Sequence, residues 1–207
     1  MPDEKKHIPG GSPQSEPLVW RWLNAVSRYR VSLSSVIVVL LIVKEMVLGT
    51  RPRAYTLEDP WAIAGIALVL IGAGLRSWSA GIIMKSEALA TTGPYALTRH
   101  PLYVGSLLLA CGFLVIIGRP ENALIVIAAA IVLYVPNIRK EERFLAEKFG
   151  KQWAEYTKQT AGIFPKRLSA LKAVWAAWSF KQWVKNREYR CAATSLIALT
   201  ALGFWPR

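Results

Sequence analysis

The sequence predicts an all-α integral membrane protein with about five transmembrane helices. Hydrophobic residues make up 53% of the 207 residues and the mean hydropathy is positive, a balance that suits a bilayer better than water. Several apolar runs approach or reach the roughly 20 residues that a helix needs to cross a hydrocarbon core. Basic residues, finally, are concentrated on one side of the predicted spans.

The apolar runs differ in length. The first three approach or reach a full span, and a fourth, shorter run is joined to the third by a tight turn, which predicts a helical hairpin. The fifth run is also short and carries two threonines. It is compatible with spanning, re-entering or lying at the interface, and spanning is the preferred interpretation. The five runs cover residues 31–49, 61–83, 102–118, 122–135 and 191–205.

The formal net charge of +13 is distributed unevenly along the chain. If the N-terminus is cytoplasmic, the segments on that side carry 21 Lys and Arg residues, and those on the other side carry 4. This asymmetry is what the positive-inside rule predicts for a multi-pass protein with five spans and a cytoplasmic N-terminus. The basic charge therefore indicates topology and contact with anionic lipid, and no nucleic-acid partner is expected.

The two ends of the chain differ from its centre. Residues 1–18 are polar, rich in Pro and Gly, and lack the apolar core of a signal peptide, which predicts a disordered tail. Residues 19–165 are assigned to the transmembrane core. Residues 166–207 predict a basic, aromatic helix at the membrane interface, followed by the fifth apolar run. The 2 cysteines and 2 histidines are widely separated, so neither a disulfide framework nor a protein-built zinc site is expected.

Charged residues interrupt the apolar pattern at defined places. Lys44 lies near the far end of the first run, where its side chain is expected to snorkel to the interface. Arg76 lies near the end of the second run, and snorkelling to lipid phosphate and facing a polar cavity remain equally open. Arg99 and His100 precede Pro101, which suits the first turn of a helix. The free NH groups and dipole of that helix start favour an anionic group such as a carboxylate.

Two adjacent carboxylates, Glu141 and Glu142, follow the fourth run where the helix is expected to leave the membrane. Neighbouring residues on a helix point about 100° apart. We therefore expect one of the two to face the bundle and the other to face solvent or Lys140.

These polar residues belong to a longer pattern. In order along the chain it comprises Gly93-Pro94-Tyr95, Arg99-His100-Pro101-Leu102-Tyr103-Val104-Gly105, Glu141-Glu142, Phe149-Gly150 and Tyr156. This pattern resembles the isoprenylcysteine carboxyl methyltransferase family and its phospholipid methyltransferase relatives, over about residues 75–165. Any single fragment would be weak, whereas the joint order and spacing are specific.

The resemblance implies an integral membrane enzyme that transfers a methyl group from S-adenosylmethionine to the carboxylate of a prenylated cysteine or a similar lipophilic acceptor. It also implies a cofactor pocket that faces the cytosol and a lipid substrate that enters sideways from the bilayer. No metal is implied. The residues that would line the cofactor pocket are Tyr95, Arg99, His100, Pro101, Tyr103, Gly105, Glu141 and Glu142.

The chemistry of this cofactor agrees with those residue types. Arg99 and His100 can take its carboxylate, whereas a glutamate can take its ammonium or a ribose hydroxyl. Aromatic faces such as that of Tyr103 can stack on adenine or face the sulfonium. Three residues are assigned to catalysis: Glu142, Arg76 and Arg143. The two arginines are the candidates for the cation that holds the acceptor carboxylate.

Two alternatives remain open at this level. A membrane sterol or steroid reductase that uses NADPH carries a similar His-Pro motif, but it typically has Asn at the position of Leu102 here, which favours methyl transfer. The other alternative is a noncatalytic lipid-binding membrane protein.

Overall fold

A computed structural model describes residues 36–37, 39–41, 43–45, 47–48, 58–84, 87–163 and 178–203. Within these ranges the chain is helical and contains no β-strand, only an isolated bridge between Thr98 and Ala161. The described residues of 36–47 are helical and precede the named helices. The helices are α1 (Pro60–Ile82), α2 (Pro94–Leu97), α3 (Pro101–Ile117), α4 (Pro120–Gln159), α5 (Phe180–Lys185) and α6 (Tyr189–Gly203).

Proline and glycine mark the ends of several helices. Four of them begin with a proline, whose missing NH group is not needed in the first turn. α3 ends at Gly118, which has a φ of 68° and so adopts the left-handed conformation that glycine tolerates. Arg119 and Pro120 then start α4 at once, which produces the predicted hairpin.

The main packing contact joins α1 to α3 through glycines. A Cβ atom on Gly72 would lie 2.7 Å from the backbone oxygen of Gly105, and one on Gly112 would lie 2.6 Å from that of Gly65. Small residues at such a seam let two helix backbones approach closely, which is a common way to associate helices in a membrane. This seam holds the start of α3 beside the last turns of α1.

α4 is 40 residues long and has two parts. Its first part is apolar, contains Pro136, and exposes large side chains such as Leu124 and Val132, as expected for a helix that faces lipid. Its second part is polar and contains a kink at Gly150, where φ is 47°. By length and composition α1 and α4 can each cross a membrane, and α3 is a shorter apolar helix.

Four of the five predicted apolar runs coincide with or overlap the named helices. Runs 61–83 and 102–118 match α1 and α3 to within one residue, run 122–135 is the first part of α4, and run 191–205 overlaps α6. The number of membrane crossings stays a prediction. The tail at 1–18 and residues 166–177 of the predicted interfacial helix at 166–190 lie outside the described residues.

The structure corrects the prediction for Lys44. Its Nζ donates to Oδ1 of Asn122 at 2.7 Å and lies 2.9 Å from a carboxylate oxygen of Glu45. The side-chain amide of Asn122 in turn donates to Glu45 at 3.0 Å, and both of these partners are buried. Lys44 therefore joins the helical residues of 36–47 to the start of α4 instead of snorkelling, because internal polar partners are available to it.

Candidate active site

A short backbone pairing brings the end of α4 beside the start of α3. The NH group of Arg99 donates to the carbonyl of Ala161 at 2.8 Å, and that of His100 donates to Gly162 at 3.2 Å. The hydroxyl of Thr98 also donates to Gly162, at 2.6 Å. These bonds hold the segment before α3 against the segment after α4, and they place two distant parts of the motif side by side.

Glu142 connects the two predicted halves of the site. One of its carboxylate oxygens lies 2.9 Å from Nη2 of Arg99 and 3.2 Å from Nε2 of His100. The imidazole of His100 is buried, whereas the side chain of Glu142 is 32% exposed. The start of α3 and the middle of α4 therefore meet, as the sequence pattern predicted.

Glu141 also faces α3, because it accepts a hydrogen bond from the hydroxyl of Tyr103 at 3.3 Å. The expectation that one of the two glutamates faces away from the bundle was therefore wrong: each reaches a different residue of the α3 start. The ring of Tyr103 makes edge contacts with the rings of His100, at 5.7 Å between centroids, and Tyr134, at 5.3 Å.

The polar second part of α4 supports this cluster with two buried aromatic residues. The hydroxyl of Tyr156 donates to the carbonyl of Tyr95 in α2 at 2.6 Å, and the guanidinium of Arg99 lies over the ring of Trp153 at 5.7 Å. Burial raises the pKa of the Tyr156 phenol, and the positive charge of Arg99 opposes that shift only partly. Tyr156 therefore stays a neutral donor.

A cavity of about 170 Å³ lies beside the cluster, between α1, α3, α4, α6 and the helical residues of 36–41. Most of its wall is apolar. Along α3 it runs from Leu102 to Ile117, which is about 22 Å at roughly 1.5 Å per residue. Polar side chains gather at the Leu102 end, namely Arg76, Tyr103, Ser106, Tyr134, Asn186 and Glu188.

Arg76 lies at this polar end and is fully engaged. Its Nε and Nη2 donate to the two carboxylate oxygens of Glu188 at 2.8 and 3.0 Å, and its Nη1 donates to the carbonyl of Leu102 and to the hydroxyl of Ser106. Both side chains of the ion pair are buried. Of the two open interpretations of Arg76, the structure supports the polar cavity and not snorkelling.

The remaining predicted residues fall in different places. Pro101 is the first residue of α3. Gly105 lies in the α1–α3 seam, where a Cβ atom would meet Arg76 and Gly72, so its contacts are with α1 and not with Glu142. Arg143 is exposed on α4 and does not line the cavity.

Sequence reasoning missed Glu188, Ser106 and Tyr134. Glu188 lies in the segment between α5 and α6, whereas Ser106 and Tyr134 lie within apolar helices. The one available indication was that Glu188 is an acidic residue within a basic segment. It points to an ion pair only once Arg76 is known to need a partner.

The cluster fits S-adenosylmethionine. Nε of Arg99 is buried without a hydrogen-bond partner among the described residues, which suits an incoming carboxylate. Glu141 and Glu142 supply negative charge for an ammonium, and the aromatic rings of Tyr103 and Tyr134 suit a sulfonium. In the part of the chain that the structure describes, no group of three or more His, Cys, Asp or Glu side chains could hold a metal ion.

The sequence is similar to a described protein family and to several known proteins. A sequence model described as phospholipid methyltransferase matches residues 61–152, which include Arg76, Arg99, His100 and Glu142. The cobalt-zinc-cadmium resistance protein CzcN of Cupriavidus metallidurans is 34% identical over 69% of this chain and 67% of its own length. The nickel-cobalt-cadmium resistance protein NccN of Alcaligenes xylosoxydans xylosoxydans is 30% identical over 72% of this chain and 70% of its own length.

Similarity extends to enzymes with a named reaction. Protein-S-isoprenylcysteine O-methyltransferase A of Arabidopsis thaliana is 30% identical over 53% of this chain and 62% of its own length. No solved structure matches the chain. The family model and these relatives identify a methyltransferase, and the apolar helices α1 and α4 are compatible with a membrane protein. The chain belongs to the isoprenylcysteine carboxyl methyltransferase family, so the family predicted from the motif is confirmed.

Proposed function

We propose that the protein transfers the methyl group of S-adenosylmethionine to the carboxylate of a prenylated cysteine or a similar lipophilic acid. One observation carries this proposal: Tyr103 contacts both the polar cluster and the apolar cavity. Its hydroxyl and ring contact Glu141 and His100 on one side, and it lines the long apolar cavity on the other. A polar cofactor site and a lipid cavity that share a wall allow their two occupants to react.

The cofactor contributes an electrophilic methyl group on a sulfonium. The protein contributes binding and orientation. The guanidinium of Arg99 holds the carboxylate of the cofactor, which leaves Glu142 or Glu141 for its ammonium or ribose. Glu142 also keeps Arg99 and His100 in place, since both lie within hydrogen-bond distance of one of its oxygens.

The acceptor needs no general base in this reaction, because a carboxyl group with an ordinary pKa is already ionised near neutral pH. The task of the site is therefore alignment of the acceptor oxygen with the methyl group and exclusion of water. The buried ring of Tyr103 and the partly buried ring of its neighbour Tyr134 suit that task, since they form a mostly apolar surface at the junction. An amine acceptor would additionally have to lose a proton.

Two arginines were candidates for holding the acceptor carboxylate, and the geometry favours Arg76. Arg76 lies at the polar end of the cavity, whereas Arg143 is exposed on α4. A lipid tail in the cavity would extend along α3 toward Ile117 and would place its polar head near Arg76. Exposed apolar side chains on α1 and α4 are consistent with entry of the lipid from the bilayer.

The orientation proposed is a cytoplasmic N-terminus, about five membrane crossings and a site that faces the cytosol. The excess of Lys and Arg in the segments near the site supports it. Exposed aromatic and basic residues near α5, including Trp178, Phe180 and Lys181, are suited to anionic lipid headgroups. The names of the two metal-resistance relatives state a resistance and no reaction, so they leave the methyl acceptor open.

The test is radiolabelled methyl transfer in detergent. The purified protein is incubated with labelled S-adenosylmethionine and a panel of synthetic prenylcysteines, fatty acids and lipid amines. We expect a product that is labile in base, because methyl esters hydrolyse and methylamines do not. A base-stable product from a lipid amine would refute the acceptor assignment. Saturable binding of NADPH without binding of S-adenosylmethionine would refute the whole proposal.

A further inference from the structure

The segment from Trp178 to Glu188 is fastened to the C-terminal end of α1. The indole NH of Trp178 donates to the carbonyl of Ser77 at 3.1 Å, and the backbone NH of Ser179 donates to Gly81 at 3.0 Å. The amide of Asn186 donates to the carbonyl of Ala80 at 2.7 Å. The carbonyls of Ala80 and Gly81 belong to the last turn of α1, where a carbonyl has no partner within the helix, and another part of the chain therefore satisfies them.

This attachment delivers Glu188 into the polar end of the cavity. Glu188 is 6% exposed, and its carboxylate takes two of the donors of Arg76 in the bidentate geometry that guanidinium groups prefer for carboxylates. Glu188 itself lines the cavity. The position that a lipophilic acid would need on Arg76 is thus already held by a carboxylate of the chain.

We propose that Glu188 is a placeholder which the acceptor carboxylate displaces from Arg76, an inference that rests on the proposed function. When the cavity holds no acceptor, Glu188 prevents Arg76 from being a buried, unpaired charge, which would be strongly unfavourable. When a lipophilic acid enters, one carboxylate replaces another, so the number of charge-assisted bonds to Arg76 is conserved. No covalent bond changes in this step.

The displaced side chain of Glu188 can be accommodated at the protein surface. Arg187 and Arg190 flank Glu188, and both are exposed, so the released carboxylate meets positive charge at the surface. The exchange also provides selectivity, because a lipid without a carboxylate has nothing with which to replace Glu188. An apolar cavity in a membrane would otherwise accept almost any chain, and the placeholder excludes lipids with neutral heads.

The first test compares Glu188→Gln with Glu87→Gln. Glu87 is a matched control, because its carboxylate pairs with Lys185 of the same segment at 2.8 Å but is exposed and does not line the cavity. We expect Glu188→Gln to lower the KM for a prenylcysteine by about fivefold or more, as for two groups that compete for one site, with the Kd for S-adenosylmethionine unchanged. Glu87→Gln should keep the KM of the parent protein. An unchanged or raised KM in folded Glu188→Gln would overturn the proposal.

The second test needs no variant and uses hydrogen–deuterium exchange of the parent protein. The probes are a prenylcysteine and its carboxamide, which differ only in the carboxylate. We expect the carboxylate to speed exchange in peptides that cover residues 178–190, since the NH of Glu188 bonds to the carbonyl of Trp183 in the closed segment. The carboxamide should leave exchange unchanged. If the carboxylate also leaves it unchanged, Glu188 is not displaced.

The two proposals fail in different ways. Formation of a base-labile ester together with unchanged exchange would refute the placeholder and keep the proposed function. Faster exchange with the carboxylate but no ester would refute the acceptor assignment and keep Glu188 as the group that a lipid acid displaces. The exchange experiment decides the matter even if Glu188→Gln fails to fold.

Discussion

Replacement of Glu142 by glutamine tests the centre of the site. The substitution keeps the size of the side chain but removes the charge of an oxygen that lies 2.9 Å from Arg99 and 3.2 Å from His100. Hydrogen bonds to charged groups contribute about 1.5–3 kcal/mol and neutral ones about 0.5–1.5 kcal/mol. Because Glu142 is 32% exposed and its charge is partly screened, we expect a net loss of about 1.5 kcal/mol in cofactor binding, or roughly a tenfold rise in Kd.

The assay is isothermal titration of S-adenosylmethionine into detergent-extracted protein, with the Tm measured alongside. Glu147→Gln is the matched control. Glu147 is an exposed carboxylate on the same helix, so this substitution removes the same charge. The control should bind the cofactor like the parent protein. If Glu142→Gln also binds like the parent protein at an unchanged Tm, Glu142 does not belong to the cofactor site.

Three further predictions follow from the geometry. His100→Ala should raise the Kd for S-adenosylmethionine in the same titration while the protein stays folded. Unchanged binding in both His100→Ala and Glu142→Gln would refute the site assignment. Gly105→Ala should lower the Tm, with a cost of about 1–3 kcal/mol, because its Cβ would lie 2.8 Å from the oxygen of Gly72. Gly74→Ala, which meets nothing within 4 Å, should not lower the Tm, and equal effects of the two would refute the close seam. Tyr156→Phe should lower the Tm by leaving a buried carbonyl without its donor, at about 1–3 kcal/mol; an unchanged Tm would show that water replaces the hydroxyl.

Local patterns in the sequence predicted the helices well. The apolar runs 61–83 and 102–118 agree with α1 and α3 because length and hydrophobicity determine which segments can form buried or lipid-facing helices. Pro101 and Gly118 mark the ends of α3, since the backbone preferences of proline and glycine act within one turn. The motif identified the family for a related reason, since the order and spacing of Arg99, His100 and Glu142 can be recognised from the chain alone.

Tertiary contacts decided what the local patterns left open. Lys44 was expected to snorkel, yet it bonds to Asn122, and both glutamates at the exit of the fourth run face α3 although neighbouring helix positions diverge. Such outcomes depend on which partner lies within reach, and long side chains reach several.

The sequence alone predicts an all-α membrane methyltransferase with candidate site residues where the third apolar run begins and the fourth ends. Only the folded chain joins those ends, through the bonds of Arg99 and His100 to residues 161–162, and only the folded chain places Glu188 on Arg76. The physical reason is range. Helix formation and membrane partition depend on neighbours within a few residues, whereas a buried charge is satisfied by whichever opposite charge the whole fold brings to it.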